Sequence, residues 1–167
     1  KKGYFQNEVK KIPEWVIHIN RKIFLNKSKK FNTTEKIFLD RSTSKFNHCK
    51  IFNPNSLNHL LKKKNFGVYT PEKLSQEKQI FLFKKASIIL GAHGAALTNI
   101  IFCKPGTKII EIIPADHPNK KCERISKILK LRYFRIKTKP DNSDKNFPYR
   151  IHLNQRHLKR INDIVNL

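Results

Sequence analysis

Ser87-Ile88-Ile89-Leu90 runs without a break into Gly91-Ala92-His93-Gly94, and this junction restricts the possible folds more than any other segment. An apolar run without polar alternation suits a strand covered on both faces, as in a parallel sheet sandwiched between helices. Two glycines directly after it suit a tight strand-to-helix turn whose backbone N–H groups can come close to a ligand. The spacing lacks the full G-x-G-x-x-G of dinucleotide sites, which disfavours NAD. Taken alone, the same spacing is equally compatible with a tight connection that binds nothing.

The flanking segments repeat the pattern. Lys36 to Arg41 is a short apolar run ending in Asp40-Arg41, and Val68-Tyr69, Lys108 to Ile113 and Tyr133 to Ile136 read as further strands. Between them the spacing predicts helices. Asn53 is placed to cap one with Pro54 at its first position and Leu57, Leu60 and Leu61 on one stripe. Ser75 caps a second, in which Gln79, Phe83 and Ala86 share a face, and a short helix covers Ala95 to Phe102 before the Pro105-Gly106 turn. Ile125, Ile128 and Leu129 mark another, and Asn154 caps the last, which carries Leu158, Ile161 and Val165. Alternating strands and helices with short connections define an α/β fold, a Rossmann-like parallel sheet with helices on both faces.

Ahead of this lies Pro13 to Leu25, with Trp15, Val16, Ile19 and Ile23 at helical spacing, followed by the polar stretch Asn26 to Glu35. The expected division is a lead-in helix and linker over 1–35, the end of an N-terminal domain outside this sequence, and the Rossmann-like domain with its C-terminal helix over 36–167. Residues 139–149 read as an exposed loop.

The net charge of +24 would attract polyanions, but only eight of the 36 basic residues are Arg, and Lys, Asn and Ile are abundant together. Lys29-Lys30 and Lys62-Lys63-Lys64 are short runs without interleaved aromatics, so the charge reads as a solvated surface rather than a nucleic-acid site. Contact with an anionic membrane surface is compatible with the same field. Cys49, Cys103 and Cys122 lack metal-site spacing and read as free thiols in a reducing compartment. No stretch reaches the about 18 apolar residues of a membrane span. The expected location is cytoplasmic, in peripheral contact with a membrane.

Ligands of open parallel sheets bind beyond the carboxyl ends of the strands. His93 and Gly94 sit after the third predicted strand, Arg41 after the first, Asn99 in the helix that follows the glycine turn, and Glu111 within the fourth strand. His93 there can stabilise a leaving diphosphate or merely bond a nearby carbonyl. Arg41 offers a fork that matches phosphate oxygens, with Lys50 assisting, and Asn99 either holds a ligand or braces the turn. Glu111 interrupts Ile109-Ile110-Glu111-Ile112-Ile113, where a carboxylate must be satisfied by ribose hydroxyls or by a buried partner. The remaining histidines read as surface.

From about Lys36 to Ile136 the chain resembles glycosyltransferase family 61. The resemblance lies in Arg41, Asn53 before the Leu-rich helix, Tyr69-Thr70-Pro71-Glu72-Lys73-Leu74, Gln79, His93-Gly94-Ala95, Leu97-Thr98-Asn99 and Ile110-Glu111-Ile112-Ile113-Pro114. Cys49 and Pro54 depart from it, standing where Arg and Glu are common in the family, and both changes bear on phosphate affinity. The resemblance implies a GT-B-like enzyme, of which this chain is the C-terminal, donor-binding domain opposite an N-terminal partner domain of the same protein. It implies an inverting transfer from a nucleoside-diphosphate sugar, a UDP-sugar foremost, to a hydroxyl of a glycan or lipid-linked acceptor in polysaccharide or capsule synthesis. It also implies no metal and no other cofactor. On that basis Arg41, Lys50, Gln79, Gly94, Ala95, Asn99 and Glu111 are expected at the nucleotide sugar and His93 at the leaving group. Two other readings stay open, a basic α/β module that binds nucleic acid or acidic polysaccharide without catalysis, and a folded but inactive transferase.

Overall fold

A computed structural model describes residues 13–43, 48–141, 143–146 and 149–167. Helix α1 (Glu14–Phe24) leads into strand β1 (Lys36–Leu39), then α2 (Pro54–Lys63), β2 (Gly67–Tyr69), α3 (Gln76–Lys85), β3 (Ile88–Ala92), β4 (Lys108–Pro114), α4 (Lys121–Ile128), β5 (Arg132–Thr138) and α5 (Gln155–Asn166). The strands form one sheet in the order β2-β1-β3-β4-β5, and each neighbouring pair is parallel. The expected α/β architecture is therefore present, with β3 and β4 almost wholly buried as their unbroken apolar runs require.

Alternate residues of each strand feed opposite layers. Ile37, Leu39, Ile89 and Ile109 pack with Ile80 and Phe83 of α3, Ile125 of α4 and Ile17 of α1. Phe38, Leu90, Ile110 and Ile112 pack on the other face with Leu57 and Leu61 of α2 and Ile161 and Ile164 of α5. Helix α1 is thus part of the first layer. Its inward residue is Ile17, while Trp15, Ile19 and Ile23 of the stripe read from the sequence stay exposed. Arg21 sets this rotation by donating through Nη1 to the carbonyls of Ile101 and Cys103, the latter at 2.9 Å.

The local expectations resolve in different ways. Ser75 Oγ accepts from Lys78 N, and Asn154 forms a reciprocal capping box with His157, so both helices start where the sequence indicates. Asn53 does not cap α2. Its amide donates to the Leu153 carbonyl at 2.5 Å and accepts from Leu153 N at 2.9 Å, clasping a segment 100 residues away. Beside it, Ile51 and Ile151 form an isolated parallel bridge. The segment Ala95–Phe102 is a 3₁₀ helix rather than an α-helix.

The three cysteines are free and buried. Burial pushes the Cys49 thiol up to about 12 despite the nearby Arg41 cation. Among the described residues, no helix is long and apolar enough to cross a membrane.

Candidate functional site

The strand order turns outward on either side of β1 and β3, since β1 leads to β2 at one edge and β3 leads to β4 and β5 toward the other. Such a reversal opens a crevice at the carboxyl ends, where the first and third strands stop. Arg41 follows β1 and His93 follows β3, with His93 N still bonded to the Ile112 carbonyl at 2.8 Å.

Gly94 continues in fully extended backbone (φ 169°, ψ 174°), which any residue can adopt. Its lack of a side chain matters for another reason. A Cβ at Gly94 would lie 1.2 Å from Arg41 Nη1, so the guanidinium rests directly on the glycine. Among the described residues, Arg41 Nε is buried without a hydrogen-bond partner. Desolvation lowers the Arg41 pKa, with Cys49 and Glu72 acting in the opposite sense, and a guanidinium stays charged under such a shift. A cation with an unused donor is therefore fixed over the turn, next to exposed Ala95 at the start of the 3₁₀ segment. The first N–H groups of such a segment have no partner within it and favour anions.

Behind the turn lies a buried polar group. His93 Nδ1 is 2.6 Å from Glu111 Oε1, with side-chain exposures of 9% and 2%. Tyr133 O–H donates to Glu111 Oε2, and the Cys122 thiol adds a further bond. Burial alone would raise the Glu111 carboxyl. The bond and charge of His93, with the bonds from Tyr133 and Cys122, outweigh it and hold the carboxyl below its usual range. Both oxygens that the sequence reading gives to ribose hydroxyls are thus engaged inside the protein. Tyr133 is pushed upward by burial and by Glu111, so it remains a phenol and a donor.

His117 packs against His93 in a tilted arrangement, ring centroids 4.3 Å apart and planes at 52°, and Tyr149 meets it edge-on at 4.7 Å. Desolvation, then the neighbouring His93 and His48, bring the His117 pKa down to about 4. Burial, Arg41 and His93 lower that of His48 as well. These two histidines correct the expectation that all histidines besides His93 lie on the surface. His117 sits three residues beyond the end of β4, a position that the strand-end rule covers; His48 carries no such signal.

The other expected residues divide into two groups. Gln79 donates to the carbonyls of Pro71 and Leu74 and accepts from Asn99 at 2.8 Å. This pair ties the Tyr69–Leu74 segment to the 3₁₀ helix, so both side chains brace the turn. Lys50 instead shares with Arg41 the wall of a cleft of about 530 Å³ between the sheet and α2.

The comparisons with known proteins follow this layout. The family model described as Glycosyltransferase 61 matches residues 4–110. A β-1,2-xylosyltransferase of Arabidopsis thaliana is 40% identical over 60 residues, 36% of this chain and 11% of that protein. The β-1,2-xylosyltransferase RCN11 of Oryza sativa subsp. japonica is 33% identical over 63 residues, 38% of this chain and 12% of that protein. The matched segments span about an eighth or less of these relatives.

Proposed function

The chain belongs to the glycosyltransferase 61 family, and from that premise we propose that it supplies the donor-binding half of a sugar-transfer site. The donor is a nucleoside-diphosphate sugar, a UDP-sugar first of all, and the names of the relatives make xylose the first sugar to try. The acceptor is a glycan or lipid-linked hydroxyl, held by an N-terminal domain in a GT-B arrangement.

One observation carries this reading, the Arg41 guanidinium seated on Gly94 at the β1/β3 crevice, with its Nε unpartnered among the described residues. In an inverting transfer the acceptor oxygen attacks the anomeric carbon from one side while the diphosphate departs on the other with the bonding pair. The groups gathered here belong to the departing side. Arg41 and the Ala95 backbone neutralise phosphate charge in place of a divalent cation, acting where charge develops. His93 Nδ1–H is committed to Glu111, so its Nε2 is the atom left for the ligand. With Nδ1 held by the Glu111 carboxylate, Nε2 is the ring atom placed to hydrogen-bond a phosphate oxygen.

Titration calorimetry with UDP tests this directly. Binding is expected at moderate salt, with EDTA present, and weakened at least about tenfold in Arg41→Ala, a loss near 1.4 kcal/mol. An absence of heat with any nucleoside diphosphate would remove the proposal. Binding that vanishes steeply with salt and ignores Arg41 and His93 would instead favour the basic-module reading.

A further inference from the structure

The cleft that Arg41 shares has a composition unlike the surface around it. Its floor is apolar, built from Phe38 of β1, Leu57 and Leu61 of α2, Phe66 and Val68, on a chain whose charge is +24. Cations stand at its margin, Arg41 and Lys50 toward the crevice and Lys62 on α2. Asp40, Ser42 and Asn58 add hydrogen-bonding groups along the wall, with Ser42 Oγ donating to Asp40 Oδ2 at 2.8 Å. Its volume of about 530 Å³ falls within the roughly 300–1,000 Å³ of small-molecule sites, which pair an apolar lining with a few polar groups.

We propose that this cleft holds the nucleobase and ribose of the donor, with the phosphates directed out to Arg41 and the Gly94 turn. The inference rests on the donor reading above and adds the place of the nucleoside. A ligand that fits must be flat and apolar at one end and anionic at the other. Arg41 links the two regions, since it lines the cleft and also lies on Gly94. The alternative place for the ribose, at Glu111, is closed, because that carboxylate is 1% exposed and bonded to His93 and Tyr133. Ribose hydroxyls can instead donate to Ser42 Oγ, whose own proton is held by Asp40, and bond Asn58.

The test uses the chain as described, titrated with UDP, inorganic pyrophosphate and farnesyl diphosphate. Asn58 is exposed on α2 and lines the cleft, so Asn58→Trp fills the space without disturbing the core. Val68→Trp, from exposed Val68 on the edge strand, fills it from the sheet side. Asn55→Trp, on the same helix but away from the cleft, is the control. Both filling variants are expected to weaken UDP at least about tenfold while changing pyrophosphate affinity by less than about twofold, and the control to change neither. UDP binding that survives both fillings overturns the proposal, as does equal weakening of UDP and pyrophosphate. Tighter, filling-sensitive binding of farnesyl diphosphate overturns it too, and assigns the cleft to a lipid-linked phosphate. If the unmodified chain binds no nucleotide, the donor reading itself fails, an outcome distinct from all of these.

Discussion

His93 and Glu111, eighteen residues apart in the chain, meet at 2.6 Å behind the carboxyl edge of the sheet. The register that sets Gly91 beside Glu111 brings them together, one from the end of β3 and the other from the middle of β4. Removing the carboxylate leaves His93 and Tyr133 with buried polar atoms that nothing else satisfies. Glu111→Ala is expected to cost about 3–5 kcal/mol, the range for breaking a buried pair, and Glu111→Gln about 1–3 kcal/mol. Urea denaturation measures both. Because the folded Glu111 carboxyl lies below its ordinary 4.5, its contribution is complete above that pH and declines as the pH falls below it. The Gln variant should lack this acid-side loss.

His117 makes a separate pH signature. Its folded pKa of about 4 lies below the ordinary 6.5, so the unfolded chain takes up this proton first as the pH drops. Stability from this group is intact above 6.5 and falls away between 6.5 and 4. Denaturation midpoints across that window should decline less steeply in His117→Asn than in the unmodified chain. Equal slopes would mean that the ring is not held neutral against His93.

Gly94→Ala separates folding from binding. The glycine's dihedral angles suit alanine, and the atom displaced is the end of the flexible Arg41 side chain. Stability should change by less than about 1 kcal/mol, while UDP affinity falls at least about tenfold because Arg41 is pushed off the turn. Calorimetric titration beside a thermal melt reads both.

Asn53→Ala should remove the two bonds to Leu153 and destabilise the chain by about 1–3 kcal/mol. Helix α2 starts with Pro54 and takes no cap from Asn53, so its own amides should keep their protection. Hydrogen exchange would show faster exchange at Leu153 and Ile151 instead. Faster exchange confined to the first turn of α2 would argue for a capping role.

The parallel sheet was legible because Ile88–Leu90 and Ile109–Ile113 are apolar without alternation, which only a doubly covered strand explains. The candidate site was legible in position only. Arg41, His93 and Gly94 follow strand ends, so position alone exposed them. The partner of Glu111 was not readable, because a His and a Tyr arriving from neighbouring strands depend on register that single-sequence patterns do not encode. Asn53 was misassigned as a cap for a related reason. Local spacing favours the cap, and the competing partner, Leu153, lies 100 residues away. The outward turn of Trp15, Ile19 and Ile23 likewise follows from the tertiary bond of Arg21 to Cys103, which periodicity cannot reveal.

The Ile51–Ile151 bridge and the Asn53 clasp have a kinetic meaning. Closing a loop of that length is entropically slow, so these contacts are expected to form after the sheet has assembled. Tyr149, which leans on His117, arrives with the same segment. A refolding chain would then pass through a state with its sheet formed and the contact of His117 with Tyr149 still open. The polar surroundings of His93 would be completed last, as the closing step of folding rather than as a property of the sheet.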